Sequence, residues 1–176
     1  MQIKEVKPIN FLYFRTITKT GELGRYVGII ARSLYRDAAL NDLEVTGPVY
    51  WNYFGFEGDE QKSFTLEIAL PVAEIPDAYA GKFKFKRTDT FPCLSLIHEG
   101  SWYDLPQSYS RLIQYMKEKQ ILPAVETREV YVNIDFVNPE ANITEIQMGV
   151  QGESLVYSRP KNKRVVSELS EIFPFR

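Results

Sequence analysis

The order strand, helix, strand, strand occurs twice along this sequence. In the first half, a β-forming run at 11–18 precedes a helical pattern of apolar residues over 22–40. Two further β-forming runs, 49–56 and 62–72, flank the turn-like segment 57–61. An α+β fold follows, because strands of this length need a helix or a second sheet to cover their apolar face.

The second half repeats this order. The extended run 82–98 is followed by a helical stripe from Leu105 to Met116, and then by β-forming runs at 128–136 and 143–151. The last strands of the two halves align, with Glu67 over Glu145 at an offset of 145 − 67 = 78. The pattern predicts an internal duplication of strand-helix-strand-strand modules that form an antiparallel sheet with a central groove.

The predicted domain covers residues 1–151, with modules at about 1–75 and 80–151. The segment 152–176 is predicted to be an extension that packs on the domain. Its last residues include Ile172 and two phenylalanines, which offer apolar area for such packing.

Strand alternation assigns faces to these strands. In 128–136, Val130 and Val132 share one face, and Tyr131 lies on the other. We expect the apolar faces to lie under the helices, which leaves Tyr131, Glu145 and Glu67 on the opposite face. That face is either the wetted side of an antiparallel sheet or a concave surface that holds a ligand.

Composition excludes several classes of function. The net charge is −2, which gives no electrostatic reason to expect nucleic acid as a direct partner. One cysteine and one histidine make neither a disulfide nor a zinc site. No stretch has the length of a membrane span or the apolar run of a signal peptide, so we expect a cytoplasmic protein without a membrane partner or cofactor.

The segment between the second-half strand and its helix combines His98, Glu99, Gly100, Trp102 and Tyr103. A catalytic histidine–glutamate site and a turn that lines a pocket are both compatible with it. Adjacent residues of a strand point to opposite sides, so the histidine and the acid are poorly placed to act together. The sequence contains no recognised nucleophile motif, and no catalytic residue is assigned.

Residues 95–123 and 129–151 resemble the GyrI-like small-molecule-binding domain, also called the AraC-type effector-binding or multidrug-binding domain. The resemblance implies two modules side by side with a groove between them. It also implies binding of lipophilic, often cationic, compounds among aromatic side chains around a central acid. By its place in the Thr-Glu-Ile motif, that acid is Glu145. Because residue 11 already lies in a strand, we expect a stand-alone member rather than a regulator with its own DNA-binding helices.

The predicted function is therefore binding of small amphipathic, possibly cationic, molecules by a sensor or a sequestering protein. The alternatives are a hydrolase of electrophilic small molecules that uses Glu145 with Tyr131, and a protein-interaction module similar to gyrase modulators, whose partner the sequence does not identify. The sequence leaves open whether the protein is an enzyme, and favours binding without catalysis. No metal ligand is assigned. The predicted ligand-binding residues are Glu145, Tyr131, Trp102, Tyr103, Trp51 and Glu67.

Overall fold

The computed structural model describes residues 1–151, and the predicted packing of 152–176 lies outside the described residues. Two α-helices and eight strands make up this part of the chain. The helices are α1 (Ile29–Leu40) and α2 (Leu105–Glu118). The strands are β1 (Gln2–Val6), β2 (Asn10–Thr18), β3 (Tyr50–Phe54), β4 (Phe64–Val72), β5 (Lys84–Arg87), β6 (Phe91–Glu99), β7 (Pro123–Asn133) and β8 (Ile143–Val150).

The strands form one antiparallel sheet in the order β1-β6-β8-β7-β3-β4-β2-β5. Within each half, the strand before the helix pairs with the last strand, which pairs with the middle one, giving β2-β4-β3 and β6-β8-β7. The halves meet where β3 pairs with β7, in a register that places Trp51 opposite Glu129 and Asn52 opposite Arg128. We call this pairing the seam. The α+β class is confirmed, while the origin of the two halves by duplication and the division into modules stay predictions.

Helix α1 is shorter than the sequence pattern predicts. A 3₁₀ helix occupies Thr20–Arg25, and α1 begins only after Gly28, which has a left-handed backbone conformation with φ of 71°. A left-handed residue interrupts a right-handed helix, and glycine adopts that conformation without strain. The early part of the predicted helix is therefore a separate turn, whose Leu23 packs against the buried residues under α1.

Both helices pack on the same face of the sheet, which we call the helix face. Two buried clusters lie there, one under each helix. Under α1, the helical residues Leu34 and Ala38 pack with the β4 residues Leu66, Ile68 and Leu70. The predicted apolar face of β4 therefore lies under a helix, as expected.

The equivalent cluster under α2 contains Leu112 and Met116 of the helix with Ile146 and Val150 of β8. The predicted apolar face of β8 is confirmed in the same way. Each cluster buries apolar area that stabilises the fold by roughly 25 cal/mol per Å².

The face assignment of β7 was wrong. Val130 pairs with Glu145 on the face away from the helices, whereas Tyr131 pairs with Thr144 on the helix face. The valines of β7 suggested a face under the helices, but β7 is central in the sheet, and apolar character does not distinguish the two faces of a central strand. The polar side of this strand is the one that the helices flank.

The face opposite the helices carries a row of polar residues in direct register across six strands. The polar row consists of Arg15, Glu67, Asn52, Arg128, Gln147 and Ser95. Glu67 is 1% exposed and pairs with Lys86 and Arg15. Within residues 1–151, the amide atoms of Asn52, Nη1 of Arg128 and Oε1 of Gln147 have no hydrogen-bond partner. Such groups are costly to bury, so the polar row stabilises the fold less than an apolar row would.

Candidate functional site: a cavity over the seam

A cavity of about 1390 Å³ lies on the helix face, above the seam and between the two helices. Strands β3 and β7 supply its floor, the start of α1 one wall, and α2 the other. The floor residues are Trp51, Tyr53, Thr127, Glu129 and Tyr131, and the helix residues include Ala31, Tyr109 and Ile113. The cavity therefore exists because each helix covers the strands of its own half of the sequence and the middle of the sheet stays open.

A single carboxylate accepts hydrogen bonds from three tyrosines on this floor. Tyr53 and Tyr131 donate to Oε2 of Glu129, and Tyr109 donates to Oε1, each over 2.7 Å. Glu129 is only 5% exposed. Hydrogen bonds to an ionised acceptor are about twice as strong as neutral ones, so this set stabilises a charged carboxylate that little water reaches.

The three hydroxyls keep their protons. Burial raises the pKa of Tyr53, Tyr109 and Tyr131 well above the usual 10.0, and the negative charge of Glu129 raises it further. The tyrosines therefore stay neutral donors over the whole physiological pH range. The cluster carries the one negative charge of Glu129 at its centre.

Aromatic rings continue from this cluster along the cavity. Trp51 and Trp102 both meet Tyr131 edge to face, with ring centroids 6.0 and 5.5 Å apart, and Trp102 meets Phe136 in the same way at 5.6 Å. Trp102 is held by a hydrogen bond of 3.2 Å from its Nε1 to Oγ1 of Thr144. These contacts fix large rings around the carboxylate with little rotational freedom to lose on binding.

The charged residues that line the cavity are Glu57, Glu60 and Glu129, all of them acidic. No lysine or arginine of the described chain is among the lining residues. An apolar, aromatic cavity with only negative charge attracts a lipophilic cation and repels an anion.

The structure brings three of the six predicted ligand-binding residues to the cavity, namely Trp51, Trp102 and Tyr131. Tyr103 follows Trp102 but is 95% exposed and does not line the cavity. Glu67 lies in the polar row on the opposite face, as described above. Glu145 lies on that face as well.

Glu145 is held by groups of its own face. It pairs with Lys4 and accepts hydrogen bonds from Ser95 and from Gln147, the latter over 3.1 Å. Burial raises the pKa of Glu145, but the bonds from Lys4, Ser95 and Gln147 together outweigh burial and leave the pKa below its usual 4.5. Since Glu145 and Tyr131 lie on opposite faces, the predicted acid–base pair of these two residues is not formed.

Glu129, Tyr53 and Tyr109 are not among the ligand-binding residues predicted from the sequence. A signal for Glu129 was present, because it lies two residues before Tyr131 and so shares its strand face. Tyr53 lies two residues after Trp51 in β3 and follows the same rule. Tyr109 lies within the helical stripe predicted from Leu105 to Met116, and a helical pattern does not reveal a partner for its hydroxyl.

The histidine segment is a structural turn. His98 is 6% exposed and lies 3.0 Å by Nδ1 from Oγ of Ser108 and 2.9 Å by Nε2 from the carbonyl oxygen of Ser101. Gly100 has φ of 105°, a conformation that favours glycine, and its turn places Trp102 at the cavity. His98 thus ties β6, the turn and α2 together.

Other chemical groups give no second site. Burial raises the pKa of the Cys93 thiol to about 11, so it is a poor nucleophile. Among residues 1–151, no group of three or more histidine, cysteine, aspartate or glutamate side chains is arranged to hold a metal ion. Within the same residues, neither helix has the length and apolar character needed to cross a membrane.

An antiparallel sheet whose two halves share one topology, with an aromatic cavity over its centre, is typical of a small-molecule-binding domain. The profile of the GyrI-like small molecule binding domain matches residues 1–151, and the chain belongs to that family. Among curated proteins, none matches the sequence.

Solved structures of other proteins have a similar fold, among them the three that follow. The chain resembles EcmrR in an EcmrR–DNA complex with a TM-score of 0.72 and 21% identity over 85% of this chain, but it spans only 56% of EcmrR. SAV2435 bound to tetraphenylphosphonium has a TM-score of 0.61 and 14% identity, over 89% of this chain and 96% of that one. The hydrolase encoded by lin2189 from Listeria innocua has a TM-score of 0.60 and 13% identity, over 85% and 91%. At these identities the similarity establishes the fold.

Proposed function

We propose that this protein binds lipophilic organic cations in the cavity over the seam, as a sensor or a sequestering protein. The observation that carries the proposal is Glu129, a buried carboxylate bonded to three tyrosines in a cavity whose lining contains no cationic side chain. In this proposal Glu129, and not Glu145 as the resemblance implied, is the central acid that binds the positive charge of the ligand. The complex of SAV2435 with tetraphenylphosphonium, a lipophilic cation, supports this ligand class by similarity of fold.

Binding of a cation is favourable because the side chains of the site are already arranged for a positive charge. The tyrosines hold the carboxylate in place when the cavity is empty, so the protein need not reorganise to offer it. Each ring face that contacts the cation adds roughly 0.5–2 kcal/mol. The rings of Trp51 and Trp102 each contact the ring of Tyr131, whose hydroxyl binds the carboxylate, and these rings provide such faces.

The test is a titration of tetraphenylphosphonium and of neutral triphenylphosphine oxide into the wild type and the Glu129→Gln variant. Loss of a desolvated charge partner costs roughly 2–5 kcal/mol, so the affinity for the cation should fall about thirtyfold or more, while that for the neutral compound changes little. Glu145→Gln is the matched control, because it removes the same charge from the opposite face.

Three outcomes of this titration are informative. A selective loss for the cation in Glu129→Gln alone supports the proposal. Equal losses of affinity for both ligands would mean that Glu129 maintains the shape of the cavity and does not bind the positive charge of the ligand. A loss in Glu145→Gln with none in Glu129→Gln would return the role to the residue that the family motif indicated.

A hydrolase is the second candidate. The pair that could act is Glu129 as base and a tyrosine as acid, joined by the 2.7 Å bonds described above. The raised pKa of these tyrosines makes them poor acids at neutral pH, which favours binding over turnover. Incubation with an epoxide- or cyclopropane-bearing aromatic compound tests this alternative, and product formed by the wild type but not by Glu129→Gln would establish it.

A further inference from the structure

The loop between β3 and β4 brings acidic side chains to the mouth of the cavity. Glu57 and Glu60 both line the cavity and are both exposed. Glu57 pairs with Lys62 over 2.7 Å, but both side chains are more than 60% exposed, so water weakens the pair. No ion pair joins Glu60 to another residue of the described chain. The mouth therefore retains negative charge that the loop itself does not neutralise.

The mouth lies within reach of a ligand bound at Glu129. Trp51 is the register partner of Glu129, and Glu57 follows Trp51 by six residues, a span of at most about 20 Å for an extended chain. The backbone N–H of Gly55 donates to the carbonyl oxygen of Val125 over 3.0 Å, which holds the start of the loop at the edge of β7. Two regions of negative charge thus line one cavity, Glu129 on its floor and Glu57 with Glu60 on the loop between β3 and β4.

Much of the remaining lining of the cavity is apolar. Val27, Phe56, Val125 and Ile113 line the cavity without offering a charged group. The volume of about 1390 Å³ exceeds the roughly 300–1,000 Å³ of common ligand pockets. A single cationic head group at Glu129 leaves much of this space unused.

We propose that the cavity selects elongated dications, in which one aromatic cation lies at Glu129 and a second positive charge lies at Glu57 and Glu60. A hydrocarbon linker would then cover the apolar surface between them. This inference rests on the proposed binding of cations at Glu129. It assigns Glu57 and Glu60 as specificity-determining residues that distinguish dications from monocations.

The probe is a bis-quinolinium joined by a decamethylene chain, compared with N-decylquinolinium, which has one charge and the same linker. Both are titrated calorimetrically into the wild type and into the Glu57→Gln, Glu60→Gln double variant. Exposed charge pairs contribute little individually, so we expect the affinity for the dication to fall about threefold to tenfold and that for the monocation less than about twofold. The loss should shrink as the salt concentration rises, because exposed charges are screened.

The matched control is the Glu44→Gln, Glu74→Gln double variant, which removes two exposed acids outside the cavity lining. It makes the same change in net charge and should leave both affinities unchanged. Equal losses for the dication and the monocation, or an equal effect of the control, would overturn the selection of dications.

Failure of this inference and failure of the proposed function are distinguished by Glu129→Gln with the monocation. If that variant binds N-decylquinolinium as tightly as the wild type, the cation site itself is absent. If Glu129→Gln binds N-decylquinolinium weakly, and the Glu57→Gln, Glu60→Gln double variant binds the dication as tightly as the wild type, only the second charge site is refuted.

Discussion

Removal of the hydroxyl of Tyr109 should destabilise the fold through one charge-assisted hydrogen bond. Tyr109 is on α2 and Glu129 on β7, so the 2.7 Å bond between them joins the helix to the sheet. Hydrogen bonds to charged groups contribute about 1.5–3 kcal/mol, and we expect Tyr109→Phe to lower the free energy of unfolding by about 2 kcal/mol. At about 2–4 °C per kcal/mol for a chain of this size, the melting temperature should fall by about 4–8 °C.

A double-mutant cycle with Glu129→Gln isolates this bond. In the glutamine background the acceptor is neutral, and a neutral bond is about half as strong, so Tyr109→Phe should cost only about 1 kcal/mol there. The coupling energy of about 1 kcal/mol is measurable by urea unfolding of the four proteins. Tyr103→Phe is the control, because its side chain is exposed, and it should leave stability unchanged.

Two results would refute this reasoning. If Tyr109→Phe costs the same in both backgrounds, its hydroxyl does not act through the charge of Glu129. If Tyr103→Phe is as costly as Tyr109→Phe, the loss reflects removal of a phenol in general rather than a bond in the cavity.

Two further predictions concern other parts of the chain. The pKa of Glu145 is lower in the folded state than in the unfolded state, so the ionised carboxylate stabilises the fold. This stabilisation is fully present above pH 4.5 and is lost as the pH falls through the folded-state pKa. The free energy of unfolding of Glu145→Gln, measured in urea, should therefore depend less on acid pH than that of the wild type. Truncation after Gln151 should lower the melting temperature if Ile172, Phe173 and Phe175 pack on the domain, at roughly 1.5–3 kcal/mol for each side chain fully buried, and an unchanged melting curve would contradict that packing.

The arrangement of elements could be predicted from the sequence because apolar periodicity follows burial under the helices. Leu66, Ile68 and Leu70 alternate along β4 and all pack under α1. The same rule failed for β7, where Val130 faces away from the helices. Alternation identifies two faces but does not tell which one a helix covers when both are largely buried.

The candidate site was harder to predict because it depends on contacts between distant segments. The carboxylate of Glu129 gains its donors from β3, from α2 and from its own strand, and only the β7 neighbour Tyr131 is visible as a local pattern. The family motif directed attention to Glu145 instead. The sequence could not show that Lys4, from the first strand of the chain, would pair with Glu145.

The register at the seam determines the sign of the charge in the cavity. Arg128 and Glu129 are consecutive residues of β7, so they point to opposite faces, with Glu129 in the cavity and Arg128 in the polar row. A slip of one residue along β3 would exchange the faces of every side chain of β7. It would turn Glu129 outward and present Arg128 or Val130 to the cavity.

The two halves have the same topology, so their β3 and β7 edges could also join incorrectly, either within one chain or between copies during folding. The polar row has its six residues in direct register, with Asn52 opposite Arg128, only in the native pairing. A misregistered protein would still contain an aromatic cavity, but with an arginine in it. Under the proposed function, such a cavity would lose its preference for cations, so the register of one strand pair would decide the ligand class.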